Sequence, residues 1–231
     1  PLPYRDEFTE ADPQRMGYLP RYTADITGSF ELVDAPDGRG HALRQVVPIP
    51  TISWAPDWKP YTILGDQDWS DYEVSVDVWI AEGEGAAVLA RVNHVGTGYG
   101  IVPQCYALTL NSSGAVRLSV VRGKVKKDEL VGDNEQQAAI LASADVTPGG
   151  ESELAVATRE GITPGAWHRL ALRCEGSRLT GFVNGDEAVS VVDHLYPTGQ
   201  VGLLAGGPDI EDAADLAGRS IAAEGVLSRP Y

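Results

Sequence analysis

The side chains best suited to chemistry are scattered along this chain. The four histidines, His41, His94, His168 and His194, have neither an i, i+4 partner nor a nearby cysteine, the spacings that gather ligands around zinc. Cys105 and Cys174 lie far apart and match no zinc knuckle, redox pair or disulfide framework, so both are expected to be free structural thiols. No nucleophile elbow, phosphate loop or dinucleotide fingerprint occurs. Carboxylates are abundant, 33 of 231 residues. A glycosidase-type acid and nucleophile pair needs a pocket that raises one pKa, and abundance does not supply one. No residue is therefore assigned a catalytic role.

The net charge of −15 repels phosphate backbones and anionic headgroups, which excludes nucleic acid as a partner. It suits either plain solubility or a hard cation such as calcium on oxygen ligands. With 43% apolar residues the chain can bury a sizeable core, so disorder is excluded. It contains no apolar run of about 18 residues, so no transmembrane helix is expected. The opening Pro1-Leu2-Pro3-Tyr4, without Met, reads as a processed or excised piece of something longer.

The elements that must position any site are strands. Tyr72–Ile80 alternates with Tyr72, Val74, Val76, Val78 and Ile80 on one face, the pattern of a half-buried antiparallel strand. Similar runs occur at 88–93, 105–110, 116–121, 168–174, 179–183, 188–192 and 201–205, with a last strand-like stretch at 219–228. Asn111-Ser112-Ser113-Gly114, Glu175-Gly176-Ser177 and Asn184-Gly185 separate them as hairpin turns, Asn184-Gly185 being the strongest such signal. The 26 glycines and 15 prolines also favour turns. Alternation puts Cys174 with Leu170 and Leu172, and Cys105 opposite Tyr106, Leu108 and Leu110, so the two thiols face different ways. The expected fold is an all-β, two-sheet antiparallel sandwich, one domain over residues 1–231. Two segments break the rhythm: a mixed-charge insertion at 124–150, in which Asp133 would cap a short helix, and an acidic loop from Gly206 to Gly218.

Two patterns go further. Gly165-Ala166-Trp167-His168-Arg169-Leu170-Ala171-Leu172, followed by Leu179-Thr180-Gly181-Phe182-Val183-Asn184-Gly185, resembles the strand-turn-strand signature of concanavalin-like and laminin G-like sandwiches. In order along the chain stand Pro3-Tyr4-Arg5-Asp6-Glu7-Phe8, Tyr22 to Glu31, Leu43-Arg44-Gln45-Val46-Val47, Ile52-Ser53-Trp54-Ala55, Ile63 to Trp69 and Ala90-Arg91-Val92-Asn93. This succession resembles the C-terminal lectin-like domain of the galactocerebrosidase family of glycoside hydrolases.

The resemblance implies a concanavalin-like jelly roll serving a β-galactosidase of galactosyl lipids, with a galactoside or galactolipid as ligand and a catalytic barrel domain as partner. It also implies a secreted or extracytoplasmic setting. The 231 residues are filled by the lectin-like domain, so the retaining chemistry is expected outside this piece, which is inactive alone. By the family's pattern Trp54 lines the sugar pocket, on a loop with Asp57 and Trp58. An indole face suits the C–H side of galactose, and a buried core tryptophan is the alternative. Trp79, on the polar face of its strand, is expected to be covered by a loop or partner domain. The family also implies a structural calcium ion. Glu7, Thr9, the backbone carbonyl of His41 and Glu224 would hold it, with Glu224 replacing the family's aspartate; two solvated acids at strand ends are the alternative. A free-standing carbohydrate-binding or laminin G-like adhesion module is the rival function.

Overall fold

The computed structural model describes residues 24–25, 30–45, 61–81, 85–94, 103–122, 151–205 and 222–224. The expected helix at Asp133 with the rest of 124–150, and the Gly206–Gly218 loop, lie outside the described residues.

All described elements are strands: β1 (Ala24–Asp25), β2 (Phe30–Asp34), β3 (His41–Gln45), β4 (Thr62–Ile63), β5 (Tyr72–Ile80), β6 (Gly85–His94), β7 (Pro103–Asn111), β8 (Ala115–Arg122), β9 (Glu151–Thr158), β10 (Ala166–Glu175), β11 (Arg178–Val183), β12 (Asp186–Val192), β13 (Gln200–Ala205) and β14 (Ala222–Glu224). A seven-stranded sheet runs in the order β12-β11-β10-β5-β14-β3-β2 and a five-stranded sheet in the order β13-β6-β7-β8-β9, while β1 pairs with β4. Every pairing is antiparallel. This is the expected two-sheet jelly-roll sandwich. The bridges Tyr61↔Leu204 and Leu64↔Val201 attach the β4 segment to the edge of the five-stranded sheet.

The period-two faces meet between the sheets. Val74, Val76, Val78 and Ile80 of β5 with Leu170, Leu172 and Cys174 of β10 share one core with Val88, Tyr106, Leu108, Leu110, Leu118 and Val120 of the facing sheet. Each such side chain stabilises the fold by about 1.5–3 kcal/mol relative to exposure. The Asn184-Gly185 turn holds both residues at positive φ, 53° and 91°, the left-handed conformation that Asn and Gly tolerate best. Asn184 also clamps its hairpin to β10: its N–H donates to Arg169 O and its Oδ1 accepts from Arg169 N–H.

Five described strands, β1, β2, β3, β4 and β9, lie outside the runs read from the alternation. β2 and β9 are edge strands with mostly half-buried residues, so neither shows a clean apolar face. β14 is only Ala-Ala-Glu, within the stretch read as 219–228. Its partners, β3 on one side and β5 on the other, supply what its composition does not.

Candidate functional site

The calcium set falls partly within view. Glu7 and Thr9 lie outside the described residues, as do Trp54, Asp57 and Trp58. His41 opens β3, and its Nδ1 stands 3.4 Å from Asp34 Oδ1. Glu224 closes β14, where the register Ala222↔Arg44 and Ala223↔Leu43 carries that strand toward the His41 end of β3. The two backbones thus share one end of the sheet. Among the described residues no group of three or more His, Cys, Asp and Glu is placed to hold a metal ion.

The outer face of the seven-stranded sheet pairs charges across its own strands. Directly opposed residues pair across strands: Arg173 with Glu73 and Arg169 with Asp77 between β10 and β5, and Arg44 with Glu31 between β3 and β2. Trp167 stands opposite Trp79, ring edge to ring face with centroids 5.5 Å apart. The Trp167 indole N–H donates to Asp37 in the β2–β3 turn, and Val33, Ala35 and Ala42 complete the patch. Trp79 is therefore packed by a neighbouring tryptophan and a turn, in line with the loop-covered reading. Arg173 also lies over the Phe182 ring, 4.8 Å from its centroid.

The outer face of the five-stranded sheet is different. One half is apolar and buried: Tyr61, Ala87, Leu89, Val92, Cys105, Ala107 and Leu204 form a second cluster. Cys105 thus faces away from Cys174, as alternation required, yet both thiols are buried and neither is in a disulfide. Burial pushes the Cys174 thiol up to about 12, with nearby Arg91 opposing the shift. Burial, then the neighbouring Cys105, also raises the Tyr61 phenol. The other half is polar, with Arg117 and Glu153 in an ion pair of 3.2 Å. Tyr61 OH and Ser119 Oγ are buried without a hydrogen-bond partner, a condition that costs about 1–3 kcal/mol each.

One end of the sandwich is organised by Arg91, only 1% exposed. A bulge in β6 between Ala90 and Asn93 puts Arg91 at φ 50° and turns Val92 out of the inner core into the second cluster. Its guanidinium donates to the carbonyls of Ser70, Tyr196 and Gly176, and lies 3.6 Å from Asp71. The Arg91 N–H donates to Tyr72 OH. Only glycine fits at 199, where a Cβ would lie 2.3 Å from the Arg91 backbone. Nearby, Tyr106 OH donates to Asp193, and burial followed by this bond raises its pKa.

Arg117, Ser119 and Glu153 were not singled out in the sequence. Their polar face was visible in Val116-Arg117-Leu118-Ser119-Val120; that a hydroxyl on it goes unpaired depends on the neighbouring strands.

Residues 25–127 match the family model described as the C-terminal lectin domain of galactocerebrosidase. A galactocerebrosidase of Danio rerio is 31% identical over 191 residues, which is 80% of this chain and 24% of the relative. One of Canis lupus familiaris is 35% identical over 102 residues, 42% of this chain and 15% of the relative. Among solved structures, a family 16 endo-glucanase from Bacteroides ovatus superposes with a TM-score of 0.57 at 9% identity, covering 96% of this chain and 98% of that one. That likeness concerns the fold alone. The chain spans about a quarter of the length of the Danio relative, and in sequence it is similar to the C-terminal lectin domain of galactocerebrosidase.

Proposed function

We propose that this chain is a non-catalytic, lectin-like accessory domain of a galactocerebrosidase-like glycoside hydrolase. In this reading it helps form a galactoside or galactolipid site through the Trp54 loop, with Asp57 and Trp58, and a catalytic barrel domain carries the hydrolysis. The observation that carries the reading is the asymmetry of the match, 80% of this chain against 24% of the Danio relative. A module that aligns almost throughout, yet spans a quarter of the enzyme, is expected to contribute binding surface and not the whole reaction.

The test is complementation. The chain alone is expected not to hydrolyse a chromogenic β-galactoside, and to raise the activity of a barrel-containing partner when added to it. Trp54→Ala should remove that gain without lowering Tm. Micromolar galactoside binding by the chain alone, with no effect on any partner, would favour a free-standing carbohydrate-binding module instead.

The reading includes a structural calcium ion on Glu7, Thr9, the His41 carbonyl and Glu224. The shared sheet end of His41 and Glu224 and the tolerance of calcium for oxygen ligands of varied reach support it. Calcium at a hundred times its Kd adds about 2.7 kcal/mol, or roughly 5–11 °C in Tm. An unchanged Tm between EDTA and excess calcium would remove the ion from the proposal.

A further inference from the structure

On the polar half of the five-stranded sheet's outer face, Arg117 and Glu153 form an exposed ion pair, their side chains 32% and 48% accessible. Ser119, beside Arg117 on β8 and directly opposite Glu153 on β9, is 1% exposed, and its hydroxyl has no partner. Val156, opposite Arg117, is 57% exposed. A cation with fixed donors, a carboxylate acceptor and a hydroxyl able to do both thus adjoin an apolar side chain on one face. Neighbouring sugar hydroxyls are each donor and acceptor, and match such an alternation. The apolar C–H surface of a pyranose fits the aliphatic Val156.

We infer that Arg117, Ser119, Glu153 and Val156 form a saccharide subsite on the outer face of β8 and β9. It takes a neutral hexopyranose and not a uronate or sialylated sugar. Its selectivity follows from charge: Glu153 neutralises Arg117, and Glu151 of the same strand adds a further carboxylate, in a chain of net charge −15. Among the described residues, the cation of this set, Arg117, is already matched by Glu153, which leaves little to attract an anionic sugar. The inference rests on the lectin-like reading of the domain and adds a surface separate from the Trp54 loop.

The test is titration of the full chain with lactose, followed by backbone amide NMR shifts, with galacturonate as the anionic control. Lactose is expected to shift amides of residues 117–120 and 152–156. Glu153→Gln, with Tm maintained, and Ser119→Ala, with Tm maintained or raised, should each weaken that response at least about tenfold, and galacturonate should leave these amides unmoved. Lactose shifts confined to the 54–58 loop would overturn this subsite while leaving the accessory role intact. Equal responses to lactose and galacturonate would overturn its selectivity. No response at any residue would overturn the subsite, and the complementation assay would then decide the accessory role by itself.

Discussion

The two outer faces of the sandwich solve the same problem in opposite ways. On the seven-stranded sheet, each of Arg173, Arg169 and Arg44 meets a carboxylate directly across the ladder, and two tryptophans cover each other. On the five-stranded sheet, the face divides into an apolar half and a polar half, and two buried hydroxyls are left without partners. A face whose charges are paired across its own strands is nearly finished as structure, although Arg44 Nε there lacks a hydrogen-bond partner. A face that leaves buried hydroxyls unpaired gives up stability there, which natural proteins concentrate at functional sites.

The joint common to both faces should show the largest effect. Arg91→Ala strips donors from three carbonyls and from Asp71, and is expected to lower stability by about 3–5 kcal/mol, measured by urea unfolding. A loss below about 1 kcal/mol would mean that the bulge, and not the guanidinium, holds that end together.

Next come the unpaired hydroxyls, where the two faces should differ in sign. Tyr61→Phe and Ser119→Ala each remove a buried group that bonds to nothing, so each should raise stability, by up to about 1–3 kcal/mol. Destabilisation by either substitution would show that the hydroxyl has a partner in solution and would erase the contrast.

Alkaline unfolding probes the inner core between the faces. Cys174 is raised from 9.0 to about 12 when folded, so the unfolded thiol ionises first. Its contribution is fully present below pH 9.0 and is lost progressively as pH rises toward about 12. Tyr61, Tyr106 and Tyr196, all raised chiefly by burial, add to the fall from pH 10 upward. Cys174→Val should flatten the lower part of this decline in the pH dependence of ΔG.

The smallest effect belongs to the finished face. A double-mutant cycle on Arg169 and Asp77, whose side chains are 45% and 37% exposed, should give a coupling of about 0.2–1 kcal/mol, reduced by salt. It should leave lactose shifts on the opposite sheet unchanged.

Much of this architecture was legible residue by residue. The alternation of Tyr72–Ile80 placed β5 and its inward face, Asn184-Gly185 placed a hairpin, and the parity of Cys105 and Cys174 separated the two thiols. Parity says which side a residue takes, however, and not what covers that side. Cys105 was on the far face by pattern, yet it is buried there beside Leu89 and Ala107. The edge strands β2 and β9 escaped because half-buried positions on both faces blur the period of two. In the candidate site, Arg117 and Ser119 were visible as polar positions of β8. Their neighbour Glu153 enters through β9, across the 124–150 insertion.

By itself the sequence determined the fold class, the acidic surface and the division of each strand into two faces, because these follow from composition and from a two-residue period; its ordered motifs carried the lectin-like resemblance. Only the tertiary structure decided that β14 slots between β3 and β5, that a bulge turns Arg91 inward and Val92 outward, and which polar groups find partners. Pairing is a property of register between strands distant in sequence, and no single strand encodes it.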